Sequence, residues 1–262
     1  MGDSREHLEE IRRQFTRQAD AYAAMPQTKD DAALDGLVAL VGPEPTARVL
    51  DVACGPGFLT MAFARRSARV QGIDATAALL ERARAEARRR GLDHVQFDLG
   101  DAEALPFGDA TFDVAACRAA FHHFERPERV LAEMRRVVTP DGRLLVADML
   151  GSEEPAKAAY HDRIERLCDP THVRALPASE FERLFAAAGL ALIARACGSM
   201  HYDVDDWMAH GGPARTAAAE IVNAFEASLA VDRCGLAVRR EEGRLRFSHT
   251  VAAFVLRPGT PG

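Results

Sequence analysis

The chain has 262 residues, of which 48% are hydrophobic and 27% charged, a balance typical of a globular protein with a full-sized core. Its formal net charge of −6 argues against a nucleic-acid partner, because proteins that wrap nucleic acid usually carry a basic surface. Five scattered cysteines, none in a Cys-x-x-Cys pair, argue against a disulfide framework or a zinc site and favour a reduced, cytoplasmic compartment.

The N-terminal segment is charged, so it predicts neither a secretory signal nor membrane insertion, and no apolar run has the length of a membrane helix. Residues 5–24 carry apolar side chains at helical spacing, and Pro26 ends that helix. Residues 30–41 predict a second helix, closed by Gly42-Pro43. We therefore expect two helices within the N-terminal segment 1–44.

Strands and helices then alternate through residues 45–150. Short apolar runs bounded by turn residues predict buried strands at 47–54, 68–75, 95–102, 112–120 and 142–150. Helical patterns lie between them at 60–67, 78–92 and 126–138. Because strands separated by helices pair in parallel with right-handed crossovers, this region predicts a Rossmann-like α/β sheet with helices on both faces.

The second half of the chain adds helices and two more strands. Helices are predicted at 155–168, at 179–190 with Ser179 as N-cap, and within 204–231, and strands at 191–198 and 245–258. The interpretation is a single domain, 1–262, with a seven-stranded, mostly parallel sheet whose last strand is antiparallel. Residues 151–235 would form a helical acceptor lid that includes the sixth strand.

The stretch VLDVACGPGF (49–58) indicates a cofactor loop between a strand and a helix. Gly55 and Gly57 let the backbone turn sharply and approach a ligand. A dinucleotide site asks for a third glycine, where this chain has Thr60. Asp51 at the strand end is unfavourable beside a pyrophosphate and favourable beside a cationic methyl donor, so the pattern favours S-adenosylmethionine.

Two further carboxylates follow predicted strands. Asp74 ends the second strand, where a carboxylate can accept hydrogen bonds from both ribose hydroxyls of a nucleoside. Dinucleotide enzymes use the same device, so Asp74 alone does not discriminate between cofactors. Asp101 follows the third strand and is placed to accept from the adenine amine, with the Ala102 amide as a donor. An ordinary Asx turn is the alternative interpretation for Asp101.

The ordered motifs DVACGPG, GIDAT, GDAEALPF, FDVAACRAAFHHF and RRVVTPDGRLLVADM resemble those of the class I S-adenosylmethionine-dependent methyltransferases. The chain is most similar to the small-molecule branch with a Methyltransferase type 11 domain, which includes the ubiquinone/menaquinone C-methyltransferases. The resemblance spans roughly residues 10–200. It implies S-adenosylmethionine as methyl donor, S-adenosylhomocysteine as product and a small-molecule acceptor.

The same resemblance implies a role for each matching residue. The methionine-side loop would include Asp51, Ala53, Gly55 and Gly57, with Ala53 standing where many members of the family have glycine. Asp74 and Ala75 would hold the ribose, Asp101 and Ala102 the adenine, and the Arg118 carbonyl the methionine amino group. Phe15, Ala19 and Tyr22 resemble a helix that closes over the cofactor, with Tyr22 near the methionine carboxylate.

Candidate proton acceptors are histidines, because imidazole titrates near neutral pH. His122 and His123 follow the fourth strand, and His172 lies in a DPTHVR segment that resembles the DPxHxR stretch of the quinone branch, with Asp169 as a candidate to orient it. Each has a packing role as its alternative, and methyl transfer requires a base only when the acceptor must lose a proton. The sequence predicts no metal site.

The predicted function is therefore methyl transfer to the oxygen, nitrogen or carbon of a small, partly apolar acceptor. A nicotinamide oxidoreductase on a similar sheet is the first alternative, and Thr60 and Asp51 argue against it. A cofactor-binding homologue that does not methylate, such as a cyclase, is the second, because a fold does not determine function. The pattern is compatible with a monomer or a homodimer.

Overall fold

The computed structural model describes residues 4–259. Its strands form a single mixed sheet, and helices connect most of them. Among these residues the helices are α1 (Ser4–Ala24), α2 (Asp31–Val41), α3 (Phe58–Ala64), α4 (Ala77–Arg89), α5 (Pro127–Val137), α6 (Pro155–Cys168), α7 (Ala178–Ala187), α8 (Val204–Gly211) and α9 (Arg215–Glu226). The strands are β1 (Arg48–Val52), β2 (Arg69–Asp74), β3 (Val95–Leu99), β4 (Phe112–Arg118), β5 (Val138–Met149), β6 (Leu190–Asp203), β7 (Arg239–Glu241) and β8 (Arg244–Pro258). Short 3-10 turns cover Pro26–Thr28 and Phe121–His123.

The sheet has the order β3-β2-β1-β4-β5-β8-β6. The first five strands in this order are parallel, and β8 is antiparallel to both β5 and β6. This confirms the predicted Rossmann-like sheet and its antiparallel last strand. The chain runs outward from β1 to β3 and then returns to β4, so the strand order reverses between β1 and β4. Ligands of open α/β sheets bind at such a switch point, beyond the carboxyl ends of the strands.

An eighth strand, β7, was not predicted. It pairs with the start of β8 as a hairpin arm of only three residues, Arg239–Glu241. All three are charged, so they lack the alternation of apolar and polar residues by which a strand is recognised. Strand β6 is also longer than predicted, because it continues to Asp203 along β8 through a run of exposed residues.

Helix α7 begins one residue earlier than predicted. Its N-cap is Pro177 rather than Ser179, and no side chain caps it. The Ser179 amide and hydroxyl instead donate to the carboxylate of Glu153, which lies in the loop before α6. Ser179 therefore joins α7 to that loop. The two residues are 26 positions apart, so the local sequence pattern does not indicate the contact.

Three hydrophobic clusters fill the space around the sheet. One lies on the side of α2, α3 and α4, and a second on the side of α5 and α7. The third lies beneath α6, α8 and α9, where the predicted lid residues Trp207 and Phe225 pack against Phe247 of β8, with Tyr160 and Met208 at the edge. The lid is thus attached to the sheet through its own core. Within residues 4–259, no helix has both the length and the apolar character needed to cross a membrane.

Gly57 and Gly91 form a matched pair for testing the turn after β1. Both have positive φ, +78° and +69°, but a Cβ on Gly57 would lie 2.9 Å from the Phe97 ring, whereas Gly91 has open space. We expect Gly91→Ala to cost about 1–2 kcal/mol from backbone strain alone. Gly57→Ala should cost about 2–5 kcal/mol, because overpacking is added to the same strain. Chemical denaturation measures both, and equal losses would contradict the close packing at Gly57.

Candidate active site

The loop between β1 and α3 is the first component of the site. Gly55 and Gly57 have φ of +54° and +78°, in the left-handed region that favours glycine. Ala53 also has positive φ, +53°, and the departure from glycine noted in the sequence therefore carries strain of about 1–2 kcal/mol. Ala119, which follows β4, has φ of +54°. Two strained alanines thus lie at the ends of the adjacent central strands, as is common at functional sites.

Asp51 is directed into the protein rather than into a cavity. It is 1% exposed, and its carboxylate accepts a 2.6 Å hydrogen bond from the Thr60 hydroxyl of α3. Burial raises the pKa of Asp51 to about 7, although the Thr60 hydroxyl opposes that rise. Neither Asp51 nor Gly57 lines either of the two cavities described below. Thr60, which the sequence showed only as a missing glycine, thus anchors the strand end to the helix.

Asp74, at the end of β2, connects two loops. Its two carboxylate oxygens accept hydrogen bonds from the amides of Gly55 and Thr76, each at 2.8 Å. The side chain is 8% exposed and lines the larger cavity. An ionised carboxylate has about four acceptor positions, so two remain for hydroxyl donors from a ligand.

The larger cavity measures about 290 Å³ and lies beyond the carboxyl ends of β1, β2 and β3. Seven of the predicted cofactor residues line it: Tyr22, Ala53, Gly55, Asp74, Ala75, Asp101 and Ala102. Helix α1 supplies the opposite wall through residues that include Leu8, Ile11 and Phe15. The resemblance had placed Phe15 on a helix that closes over the cofactor, whereas Leu8 and Ile11 belonged only to a helical pattern. Sequence reasoning did not single out Arg126 and Arg129, which also line this cavity.

The chemistry of this lining fits an adenosyl group. Asp74 offers acceptors for ribose hydroxyls. Asp101 forms the Asx turn named as its alternative, accepting from the Glu103 amide at 2.9 Å through one oxygen. Its other oxygen is left as an acceptor for an exocyclic amine. Apolar side chains such as Ile73 and Leu79 supply surface for a purine ring.

A smaller cavity of about 130 Å³ adjoins the larger one. The two have four lining residues in common, Phe15, Tyr22, Ala119 and His123. Aromatic and thioether side chains of the smaller cavity include Met149, Met200, Tyr202 and Trp207, and its polar lining includes Arg118, His122, Glu165, His172 and His249. The two cavities therefore lie side by side along this shared wall.

Arg118 lies at the end of β4 and lines the smaller cavity. Its guanidinium donates to the carbonyl oxygens of Gln27 and Thr28, at 3.0 and 3.3 Å. These bonds hold the segment after α1 against the sheet. The expected role concerned its backbone carbonyl, and the side-chain contact across 91 residues was not foreseen.

His122 forms a buried pair with Asp148 of β5, with its Nδ1 2.7 Å from the carboxylate. Asp148 is held in turn by the amides of Phe121 and Met149. Because a carboxylate only accepts, Nδ1 carries a proton, and in the neutral imidazole Nε2 presents its lone pair. Burial lowers the pKa of His122, but the surrounding carboxylates, Asp148 first among them and then Glu165 and Asp169, together raise that pKa above its ordinary value.

His123 and His172 are also buried and oriented. His123 Nδ1 donates to the Thr171 carbonyl at 3.0 Å, and burial together with His122 lowers the pKa of His123 to about 4. His172 Nε2 lies 2.9 Å from the Asp162 carboxylate. Asp169, the residue proposed from sequence to orient His172, instead accepts from the amide and hydroxyl of Thr171.

We expect the Asp148→Asn substitution to lower the pKa of His122, because it removes the carboxylate that most opposes the effect of burial. In the wild-type chain, that pKa should lie above the ordinary value. Titration of the imidazole NMR signals measures both. His201, which is exposed and bonded to Ser248, serves as the control signal and should be unaffected. An unchanged His122 titration in the variant would contradict the pairing.

Fold and site together describe an α/β protein with two adjoining cavities beyond the carboxyl ends of its parallel strands. The family described as "Methyltransferase domain" matches residues 43–190. The chain therefore belongs to this methyltransferase family, and its fold is that of the class I S-adenosylmethionine-dependent methyltransferases.

Individual relatives agree with this assignment. The chain is 36% identical over 165 residues to the uncharacterized methyltransferase YcgJ of Bacillus subtilis, covering 63% of this chain and 65% of that protein. It is 35% identical over 149 residues to the ubiquinone/menaquinone biosynthesis C-methyltransferase UbiE of Ruegeria, covering 55% and 56%. The chain thus spans less than two thirds of the length of both relatives.

Two solved structures extend the comparison of folds. The crystal structure of YcgJ from Bacillus subtilis superposes with a TM-score of 0.83 at 28% identity, covering 88% of this chain and 99% of that one. The [4+2]-cyclase SpnF superposes with a TM-score of 0.65 at 22% identity, covering 88% and 82%. The second likeness concerns the fold alone.

Proposed function

We propose that this protein transfers a methyl group from S-adenosylmethionine to a small, partly apolar acceptor. The observation that carries the proposal is the shared wall of the two cavities, formed by Phe15, Tyr22, Ala119 and His123. The larger cavity has the acceptors that an adenosyl group requires, and the smaller one has the size and mixed lining of a site for a small ring or chain.

When bound, S-adenosylmethionine supplies an electrophilic methyl group, so the protein mainly positions the acceptor and excludes water. Asp74 and Asp101 would hold the nucleoside, and helix α1 would cover it through Leu8, Ile11 and Phe15. Met149, Met200, Tyr202 and Trp207 would enclose the apolar part of the acceptor.

Where the acceptor must lose a proton, His122 is the base that the geometry favours. Its Nε2 has the free lone pair, and the ionised Asp148 stabilises the imidazolium that forms when Nε2 takes the proton. His123 is a weaker base because its pKa is about 4, and its position in the shared wall suits it to packing beside both ligands. His172, held by Asp162, would line the smaller cavity and orient the acceptor there.

The proposal covers O-, N- and C-methylation. The name of the relative UbiE supports methylation at carbon, whereas the helical lid over residues 151–235 extends beyond what a compact quinone-type enzyme needs. A small-molecule tailoring reaction is therefore the form of the activity that we favour.

Calorimetric titration with S-adenosylhomocysteine tests the cofactor part of the proposal, with NADH as the competing ligand. We expect binding of S-adenosylhomocysteine and none of NADH. Asp74→Ala should weaken binding by about 10-fold or more, because each hydrogen bond to a charged acceptor contributes about 1.5–3 kcal/mol.

Asp98→Ala is the matched control, because Asp98 lies on the neighbouring strand β3 and does not line the larger cavity. Its affinity for S-adenosylhomocysteine should equal that of the wild-type chain. Binding of NADH without binding of S-adenosylhomocysteine would overturn the proposal and restore the oxidoreductase alternative.

A further inference from the structure

A group of three buried side chains, two of which line the smaller cavity, is not used by the proposed methyl transfer. It consists of His161 and Glu165 on α6 and His249 on β8, which we call the His-Glu-His cluster. Their exposed fractions are 1%, 5% and 2%. His161 and Glu165 are four residues apart, so they project from the same face of α6 toward β8.

The potential ligand atoms of the cluster converge on one point. Glu165 Oε1 lies 2.8 Å from His249 Nε2 and 3.3 Å from His161 Nε2, and the three ligand atoms lie within 4.8 Å of one another. Zinc binds imidazole nitrogen and carboxylate oxygen at about 2.0–2.2 Å, which places neighbouring ligand atoms about 3.0–3.5 Å apart at ordinary coordination angles. The two short separations are close to that range.

His161 supplies a second, independent observation. Its Nε2 is fully enclosed and makes no well-formed hydrogen bond within the described part of the chain, and the Glu165 carboxylate lies 3.3 Å away, at ion-pair distance. A buried polar atom without a well-formed hydrogen bond is unfavourable, and in native structures such an atom calls for an explanation such as an ion. The nitrogen points into the space that Glu165 and His249 also face.

The kind of ion follows from the kind of ligand. Two imidazoles and one carboxylate are the ligand set of non-haem iron(II) sites and of several catalytic zinc sites, both of which keep coordination positions open. Magnesium and calcium prefer ligand sets made of oxygen alone. The set therefore selects a divalent transition metal.

We propose that the His-Glu-His cluster binds one divalent transition metal ion, of the Zn²⁺ or Fe²⁺ class, with its open positions toward the smaller cavity. Glu165 and His249 both line that cavity, so a ligand there reaches the ion. An oxygen of the acceptor is the substrate group that such an ion would hold. This last part rests on the proposed function, whereas metal binding itself does not.

Cobalt(II) is the probe, because its visible absorption bands report directly on coordination by protein ligands. The full-length chain is freed of metal with a chelator and titrated with Co²⁺. We expect one equivalent to bind with these bands. His161→Asn should reduce the affinity at least about tenfold, because even substitutions outside the ligand set of metal sites cost that much. His201→Asn is the control and should bind Co²⁺ as the wild-type chain does, since His201 lies outside the cluster.

Wild-type protein that shows no cobalt bands, or a His161→Asn variant that binds Co²⁺ as tightly as wild type, would overturn the proposal. The wild-type result decides the question even where a variant does not fold. Calorimetry with S-adenosylhomocysteine separates this test from that of the proposed function. Loss of Co²⁺ binding with retained S-adenosylhomocysteine binding in His161→Asn supports a distinct metal site.

Discussion

The site depends first on the buried carboxylate of Asp74. Its two oxygens accept hydrogen bonds from the amides of Gly55 and Thr76, each at 2.8 Å. These bonds hold the loop after β1 against the end of β2. Burial raises the pKa of Asp74, while the backbone amides oppose that rise and favour the charged form. A side chain at this point thus sets the loop geometry and also remains available at the edge of the larger cavity.

Three buried carboxylates orient histidines around the smaller cavity. Asp148 of β5 holds His122, whereas α6 supplies Asp162 for His172 and Glu165 for His249. Each of these imidazoles is therefore held by a carboxylate from an element other than its own. Helix α6, which lies within the predicted lid, therefore contributes acidic groups to the smaller cavity. It also joins His172 to the His-Glu-His cluster, because Asp162 and Glu165 lie on the same helix.

Much of this architecture follows from one-dimensional pattern. Buried strands alternating with helices require a parallel sheet, and glycines and carboxylates after successive strands must meet at its carboxyl edge. Seven of the ten predicted cofactor residues accordingly line one cavity. What pattern does not contain is the direction of a side chain at a strand end. Asp51 and Asp74 look alike in the sequence, yet the first turns inward to Thr60 and the second lines the larger cavity.

Contacts between segments distant in the sequence were the other feature that could not be predicted. The pairing of Glu165 with His249 joins residues 84 positions apart, and it arises only when β8 inserts between β5 and β6 and passes α6. His172 was assigned the nearby Asp169 because proximity in sequence was the available guide, but helix α6 brings Asp162 to it instead. Strand β7 was missed because three charged residues carry no periodic signal.

A crystal structure of the protein with S-adenosylhomocysteine tests the central claim most directly, because the claim concerns which cavity holds the donor and where the two cavities meet. We predict the ribose hydroxyls on Asp74, the adenine beside Asp101 and Ala102, and the sulfur at the wall formed by Phe15, Tyr22, Ala119 and His123. Ligand density in the smaller cavity, or a sulfur directed away from that wall, would contradict the assignment of donor and acceptor sites.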